Sequence, residues 1–289
     1  GELLMNQRRP LKELNLLDKF LFDEAMDDPE NVKIMLDIIL SQKTKLKHPP
    51  QTEKEQRTST DNRQIRLDVY AIDEDDVIYE VEAQKENTHN LPKRSRLYQG
   101  IIDSKLLPPG VADFNLLNEV LIVLITPFDL FGYGLYRYTF QMRCEEVPEL
   151  KLDDGATRIF LNTRGKHPEL VSPELIELLK YMERSTDEVS GECKSKRIQE
   201  MHRRVCQIKA SEKTEVKYMQ AWEEQIMIRQ EGITEGRIEG EKIGRLRGKR
   251  ELLEKLSDKF SIEQISEMLE IDISELKNIM KEIQNEKYL

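Results

Sequence analysis

The stretch that decides the fold is Arg66-Leu67-Asp68-Val69-Tyr70, followed shortly by Ile78-Tyr79-Glu80-Val81-Glu82-Ala83-Gln84-Lys85. Both halves alternate apolar and polar residues, and an acidic run, Asp73-Glu74-Asp75-Asp76, separates them. That pattern predicts a β-hairpin. Successive strand side chains point to opposite faces. Glu80, Glu82 and Gln84 therefore share one face, and Val81 and Ala83 the other. Asp68 lies on the partner strand, where it can approach Glu82. Two carboxylates converging at a strand end, with a polar residue two places on, suit a hard divalent cation. Asp68 is also flanked by Leu67 and Val69. A carboxylate buried in such a setting implies a metal or a basic neighbour.

On the N-terminal side, residues 14–41 read as helix, with Leu17, Phe20, Leu21 and Ala25, then Val32, Met35, Leu36 and Ile39, at helical spacing. Asp27-Asp28-Pro29-Glu30 divides the run. Asp28 can cap a second helix and Pro29 can occupy its first position. Residues 42–61 are polar and contain Pro49-Pro50, which predicts a loop.

On the C-terminal side, residues 93–107 form an amphipathic pattern with a basic first half, ended by Pro108-Pro109-Gly110. Residues 120–125, Val-Leu-Ile-Val-Leu-Ile, predict a strand buried on both faces. Residues 136–142 and 158–162 read as further strands, and 173–182 as a helix capped by Ser172. From about residue 192 the chain becomes charge-rich and helical. The expected division is an α/β domain over 1–190 and a helical extension over 191–289.

The 289 residues are 35% charged and 38% hydrophobic, with a net charge of −10. This fits one medium domain with a solvated extension. The acidic balance argues against a protein that coats nucleic acid, although a local basic face would suffice for phosphate contact. No window approaches about 18 uninterrupted apolar residues, so no transmembrane helix is expected. The start lacks the pattern of a secretory signal. Cys144, Cys193 and Cys206 are scattered, as are His48, His89, His167 and His202. The expectation is a reducing cytoplasm, with neither a disulfide framework nor a zinc or histidine-based metal site.

Several short segments, in order, resemble the Rpn family of recombination-promoting nucleases and putative transposases, a branch of the PD-(D/E)XK nuclease superfamily. They are Arg66-Leu67-Asp68-Val69, Glu82-Ala83-Gln84, Leu91-Pro92-Lys93-Arg94-Ser95-Arg96-Leu97-Tyr98-Gln99, Pro127-Phe128-Asp129-Leu130-Phe131-Gly132, Tyr136-Arg137-Tyr138-Thr139-Phe140 and Ile159-Phe160-Leu161-Asn162-Thr163. The resemblance covers about residues 14–185 and extends to the glycine-spaced helical tail. It implies a restriction-endonuclease-like core, a central mixed sheet flanked by helices, and a bacterial, cytoplasmic, Mg²⁺-dependent endonuclease acting on DNA, with Mn²⁺ able to substitute. Asp68 would bridge the metal and Glu82 would be its second ligand. The Ala83 backbone carbonyl would face the metal, and Gln84 would stand where many superfamily members carry Lys. Glu24, on the first helix, would be a further acid near the metal, against an equal alternative as a solvated carboxylate. A glutamine cannot act as a base; it can only orient water or phosphate.

Lys93, Arg94, Arg96, Tyr98 and Gln99 follow the second acidic strand and could hold DNA phosphates. An ordinary exposed helix face is the equal alternative, and Tyr98 and Gln99 are the pair expected to face the cleft. The basic residues of 194–217 read mainly as a solvated helix. Gly232, Gly236, Gly240, Gly244 and Gly248 recur every four residues. As helix they would cost about 4–5 kcal/mol at roughly 1 kcal/mol each. Something must compensate: pairing in a homodimer is favoured over a partly helical linker. Ser261 and Gln264 form a capping box for a short helix, and 273–280 forms another. Their acidity suits a packing or oligomerisation module better than base reading. The rival to the nuclease is a DNA-binding or scaffolding protein without turnover, favoured by the net charge and by the neutral Gln84.

Overall fold

The computed structural model describes residues 8–56, 65–257, 259–274 and 276–277. Its centre is a six-stranded mixed sheet in the order β1-β2-β3-β4-β6-β5. The strands are β1 (Gln51–Gln56), β2 (Ile65–Ile72), β3 (Ile78–Ala83), β4 (Val120–Thr126), β5 (Arg137–Phe140) and β6 (Ala156–Asn162). β2 and β3 form the expected antiparallel hairpin, from Val69↔Val81 to Ile72↔Ile78. β4 pairs in parallel with both β3 and β6, which buries its apolar run in mid-sheet. β1 and β5 close the two edges antiparallel. β1 corrects the expectation of a loop over 42–61. An edge strand of polar residues carries no apolar alternation to announce it.

The hairpin turn is held by the buried Asp73. Its carboxylate accepts the amides of Asp75 and Val77, at 3.0 and 2.9 Å, and the Tyr79 hydroxyl at 2.7 Å. The turn thereby fixes which residues of β2 and β3 face each other.

Helices cover both sheet faces. α1 (Lys19–Met26) and α2 (Pro29–Leu40) divide where the sequence indicated, with the Asp28 carboxylate accepting the Glu30 amide and Pro29 opening α2. α3 (Leu91–Asp103) crosses from β3 to β4. α4 (Pro173–Glu183) starts at Ser172, whose hydroxyl accepts the Leu175 amide. α5 (Asp187–Glu192) and α6 (Lys196–Lys209) follow. One core joins Leu21, Phe22, Ile38, Leu178 and Met201 to Val81, Val123 and Ile159 of the sheet. The other joins Leu91, Tyr98 and Ile102 of α3 to Ile78, Ile122 and Phe160. β2, β3, β4 and β6 thus each feed both cores, worth about 1.5–3 kcal/mol per fully buried large side chain.

Two compact units result, divided between Tyr218 and Met219. The first therefore runs past the change of composition near residue 190. α6 explains why: Ile198, Met201 and Val205 belong to the main core. Two of its cations are tied internally, Arg197 to Glu174 and Asp37, and Arg204 to Asp28 and Glu200.

The glycine ladder lies in α7 (Glu212–Ser257) and is helical throughout. A Cβ built on any of its five glycines would meet nothing within 4 Å among the described residues. In the second unit, α8 (Ile262–Leu269) has the expected capping box, and Leu253, Ile265 and Leu276 form a small core. The rest of the expected last helix lies outside the described residues. No helix among the described residues is long and apolar enough to cross a membrane.

Asp129 organises the loop between β4 and β5. Its carboxylate accepts the amides of Phe131, Gly132 and Gly134 at 3.1, 3.0 and 2.6 Å, and the Tyr138 hydroxyl at 2.7 Å. Gly132 and Gly134 have φ of 82° and 70°, which lets the chain wrap around one carboxylate. Desolvation pushes the Asp129 pKa up, but Tyr138 and the three amides outweigh it and hold it below its ordinary value. A depressed pKa gives stability that is present above the unfolded value and lost as pH falls through the folded one. Asp129→Asn should cost about 2 kcal/mol at neutral pH. In urea titrations it should also remove part of the acid-side loss of stability; an unchanged acid limb would deny Asp129 this role.

Candidate metal centre at the end of the hairpin

Pairing between β2 and β3 ends at Val69↔Val81. Asp68 and Glu82 lie one residue beyond it, and both are buried, at 6% and 5% exposure. The Ala83 amide lies near enough to the Asp68 carboxylate to favour its charged form. Glu80, two residues before Glu82, is completely buried. Three carboxylates therefore lie at one end of one hairpin.

Two cations reach them from opposite faces of the sheet. From α1, the Lys19 ammonium donates to Asp68 at 2.6 Å and to Asp23 at 3.0 Å. From α3, the Arg94 guanidinium pairs with Glu82 and donates to Gln84 Oε1 at 2.9 Å. It also lies over the Tyr98 ring, 5.7 Å from the centroid. Gln84 Nε2 donates to the Glu86 carbonyl at 2.8 Å, so both ends of this amide are engaged. Lys85, just past β3, pairs with Asp18 at 2.6 Å.

The charges do not cancel. If all three carboxyls ionise, two cations face three anions. Both Glu80 oxygens and Glu82 Oε2 are buried without a hydrogen-bond partner. Burial pushes the Glu80 pKa well above its ordinary value; the nearby Asp68 charge adds to this, and Arg94 and Lys19 oppose it. Burial also raises Asp68, against the pull of Lys19, Arg94 and the Ala83 amide. Lys19 is lowered by desolvation, but Asp68 and Asp23 reverse this and leave it raised. The pair is therefore asymmetric: the half-exposed ammonium stays charged, while the more buried carboxylate is still strained toward its neutral form.

Orphaned carboxylate oxygens are the donors that a small hard cation takes. Asp68, Glu82 and the backbone at Ala83 fit such an ion by chemistry. The carboxylates of Asp68, Glu80 and Glu82 do not bring one oxygen each within 4.8 Å of the other two, and a bound cation has to compete with Arg94 and Lys19 for the oxygens of Asp68 and Glu82.

The other expected residues fall in different places. Glu24 is held by Lys217, at 2.8 and 3.2 Å; its neighbour Asp23 reaches the site, through Lys19. Lys93 and Arg96 are exposed on α3. Tyr98 and Gln99 are buried, at 7% each; Tyr98 lies beneath Arg94 and Gln99 donates to Asp103. Sequence reasoning assigned no role to two participants, Glu80 and Lys19. Glu80 stands in the same alternation as Glu82, whereas the contact of Lys19 with a residue 49 positions away had no local signal. Arg94 was named for DNA phosphates, but its inward reach to Glu82 had no local signal either.

Glu80→Gln removes the buried group's capacity to ionise without changing its shape. In EDTA, its Tm should rise by about 2–4 °C, while the gain in Tm on adding Mg²⁺ should shrink. A fall in Tm without metal would show that the Glu80 carboxyl stabilises the fold. Compared with protein-family models, with curated proteins and with solved structures, the chain matches none, so no relative's chemistry carries over to these residues.

Proposed function

We propose that this chain is a cytoplasmic, metal-dependent phosphodiesterase acting on DNA, a nuclease with a PD-(D/E)XK-like core. The observation that carries the reading is the buried cluster of Asp68, Glu80 and Glu82, which leaves three carboxylate oxygens without partners. The sheet order, with an acid on each hairpin strand and a helix crossing to the buried β4, supports it. Asp68, Glu82 and the Ala83 carbonyl would hold Mg²⁺ or Mn²⁺. When bound, the ion lowers the pKa of a water and stabilises charge on the phosphoryl oxygens. Gln84 orients water or phosphate by hydrogen bonds alone. Arg94, released from Glu82, would offer a planar, two-pronged donor to a phosphate. Lys93 and Arg96 lie exposed on the same helix and suit backbone contacts.

A second reading rests on a specific observation. Lys19 and Arg94 already serve Asp68 and Glu82, and Gln84 is engaged at both ends. Such a cluster can persist without turnover, in a protein that binds DNA or acts as a homodimeric scaffold through its C-terminal helices.

Supercoiled plasmid incubated with the full chain and Mg²⁺ or Mn²⁺ separates the two readings. The nuclease should nick it, metal-dependently, with Asp68→Ala or Glu82→Ala slower by about a hundredfold or more. Plasmid retained in a mobility shift but never nicked would support the inactive binder instead.

A further inference from the structure

A second group of side chains lies away from the hairpin, where α4, α5 and α6 meet. Asp187 is the first residue of α5 and fully exposed; His202 and Cys206 are four apart on α6, hence on one face. His202 is buried and Cys206 half-buried. One ligand atom from each lies within 4.8 Å of the other two. His202 Nε2 is 2.8 Å from Asp187 Oδ1 and 3.4 Å from Cys206 Sγ, and that sulfur is 3.8 Å from the same carboxylate oxygen.

The geometry points to a binding site for Zn²⁺, or a similar borderline divalent transition metal, held by Asp187, His202 and Cys206. Four facts carry this. First, the carboxylate oxygen lies at Nε2, and the sulfur lies beside the same ring, 3.4 Å from Nε2 and 3.9 Å from Nδ1, so it has to turn toward Nε2 to complete a ligand set. Second, tetrahedral zinc with these ligands has donor–donor edges of about 3.3–3.6 Å. Two of the observed edges lie close to that range, and the shortest has only to open from hydrogen-bond length. Third, one nitrogen, one sulfur and one oxygen suit zinc and not Mg²⁺ or Ca²⁺, which prefer all-oxygen shells. Fourth, the outer support is in place. Nδ1 faces the Tyr181 hydroxyl at 3.0 Å, and the two rings meet edge-on with centroids 5.5 Å apart. That contact engages Nδ1 and leaves Nε2 turned toward Asp187.

A coordinated thiol is deprotonated. Three protein ligands leave a fourth position, and Asp187 and His202 line an open depression of about 560 Å³ with Ser190, Lys196, Gln199 and Arg203. Water, or an anion held by Lys196 and Arg203, fits there.

The test is a Co²⁺ titration of the full chain in excess Mg²⁺, which keeps any carboxylate site occupied. The wild type should show a thiolate-to-cobalt charge-transfer band and tetrahedral visible bands, saturating at one equivalent and displaced by Zn²⁺. Cys206→Ser should lose the charge-transfer band. Asp187→Asn and Tyr181→Phe should keep it, with affinity weaker by about tenfold. Because a variant can misfold, wild-type alkylation gives an independent reading: Zn²⁺ should protect Cys206 and leave the half-buried Cys144 reactive. Absence of the band in the wild type, its persistence in Cys206→Ser, or alkylation of Cys206 at the same rate with and without Zn²⁺ overturns the site.

Discussion

Three carboxyl groups share the end of one hairpin, and two cations face them. Most of the first unit serves to hold that imbalance in place. Asp68 and Glu82 are buried because β2 and β3 lie inside the sheet, between edge strand β1 and central strand β4. Lys19 reaches Asp68 because α1 packs on one face, and Arg94 reaches Glu82 because α3 packs on the other. Removing one partner of a buried ion pair leaves an uncompensated charge, typically at 3–5 kcal/mol. A polar cluster of this kind is not an economical way to stabilise a fold, since apolar residues of similar volume would do as well or better. Glu80, with no partner for either oxygen, makes the point most strongly.

The same packing explains why a cation, if bound, would act on more than its ligands. The Glu82 carboxylate, Arg94 and Gln84 form one chain of contacts, and Asp68, Lys19 and Asp23 form another. An ion drawing Glu82 and Asp68 together would weaken both chains at once. It would release the guanidinium of α3 on one face and the ammonium of α1 on the other. On the proposed reading, binding and the presentation of positive charge toward a phosphate would be coupled through the carboxylates they share.

The hairpin, the buried β4, the break at Asp28-Pro29 and the caps at Ser172 and Ser261 were legible because each is set by local pattern: alternation, an apolar run or a capping oxygen. β1 was not, because its six polar residues make a strand only by pairing with β2. Within the site, Asp68 and Glu82 were legible from an acid inside an apolar strand and from shared-face spacing. Arg94 read as a surface cation, since its turn toward Glu82 depends on how α3 lies on the sheet. Gln99 read as facing a cleft, yet it is buried and bound to Asp103. Scattered histidines and cysteines hid the grouping of His202 and Cys206 with Asp187, which needs α5 folded back on α6. Side-chain direction across elements is a tertiary property, and periodicity within one element cannot carry it.

The central claim is that the hairpin end holds a hard cation. Crystals of the full chain grown with Mn²⁺ and measured at the manganese absorption edge test it most directly. The account predicts an anomalous peak bounded by the Asp68 and Glu82 carboxylates and the Ala83 carbonyl, with Arg94 moved off Glu82. A map with no peak there, and with Arg94 and Lys19 still paired to their carboxylates at saturating Mn²⁺, would contradict it.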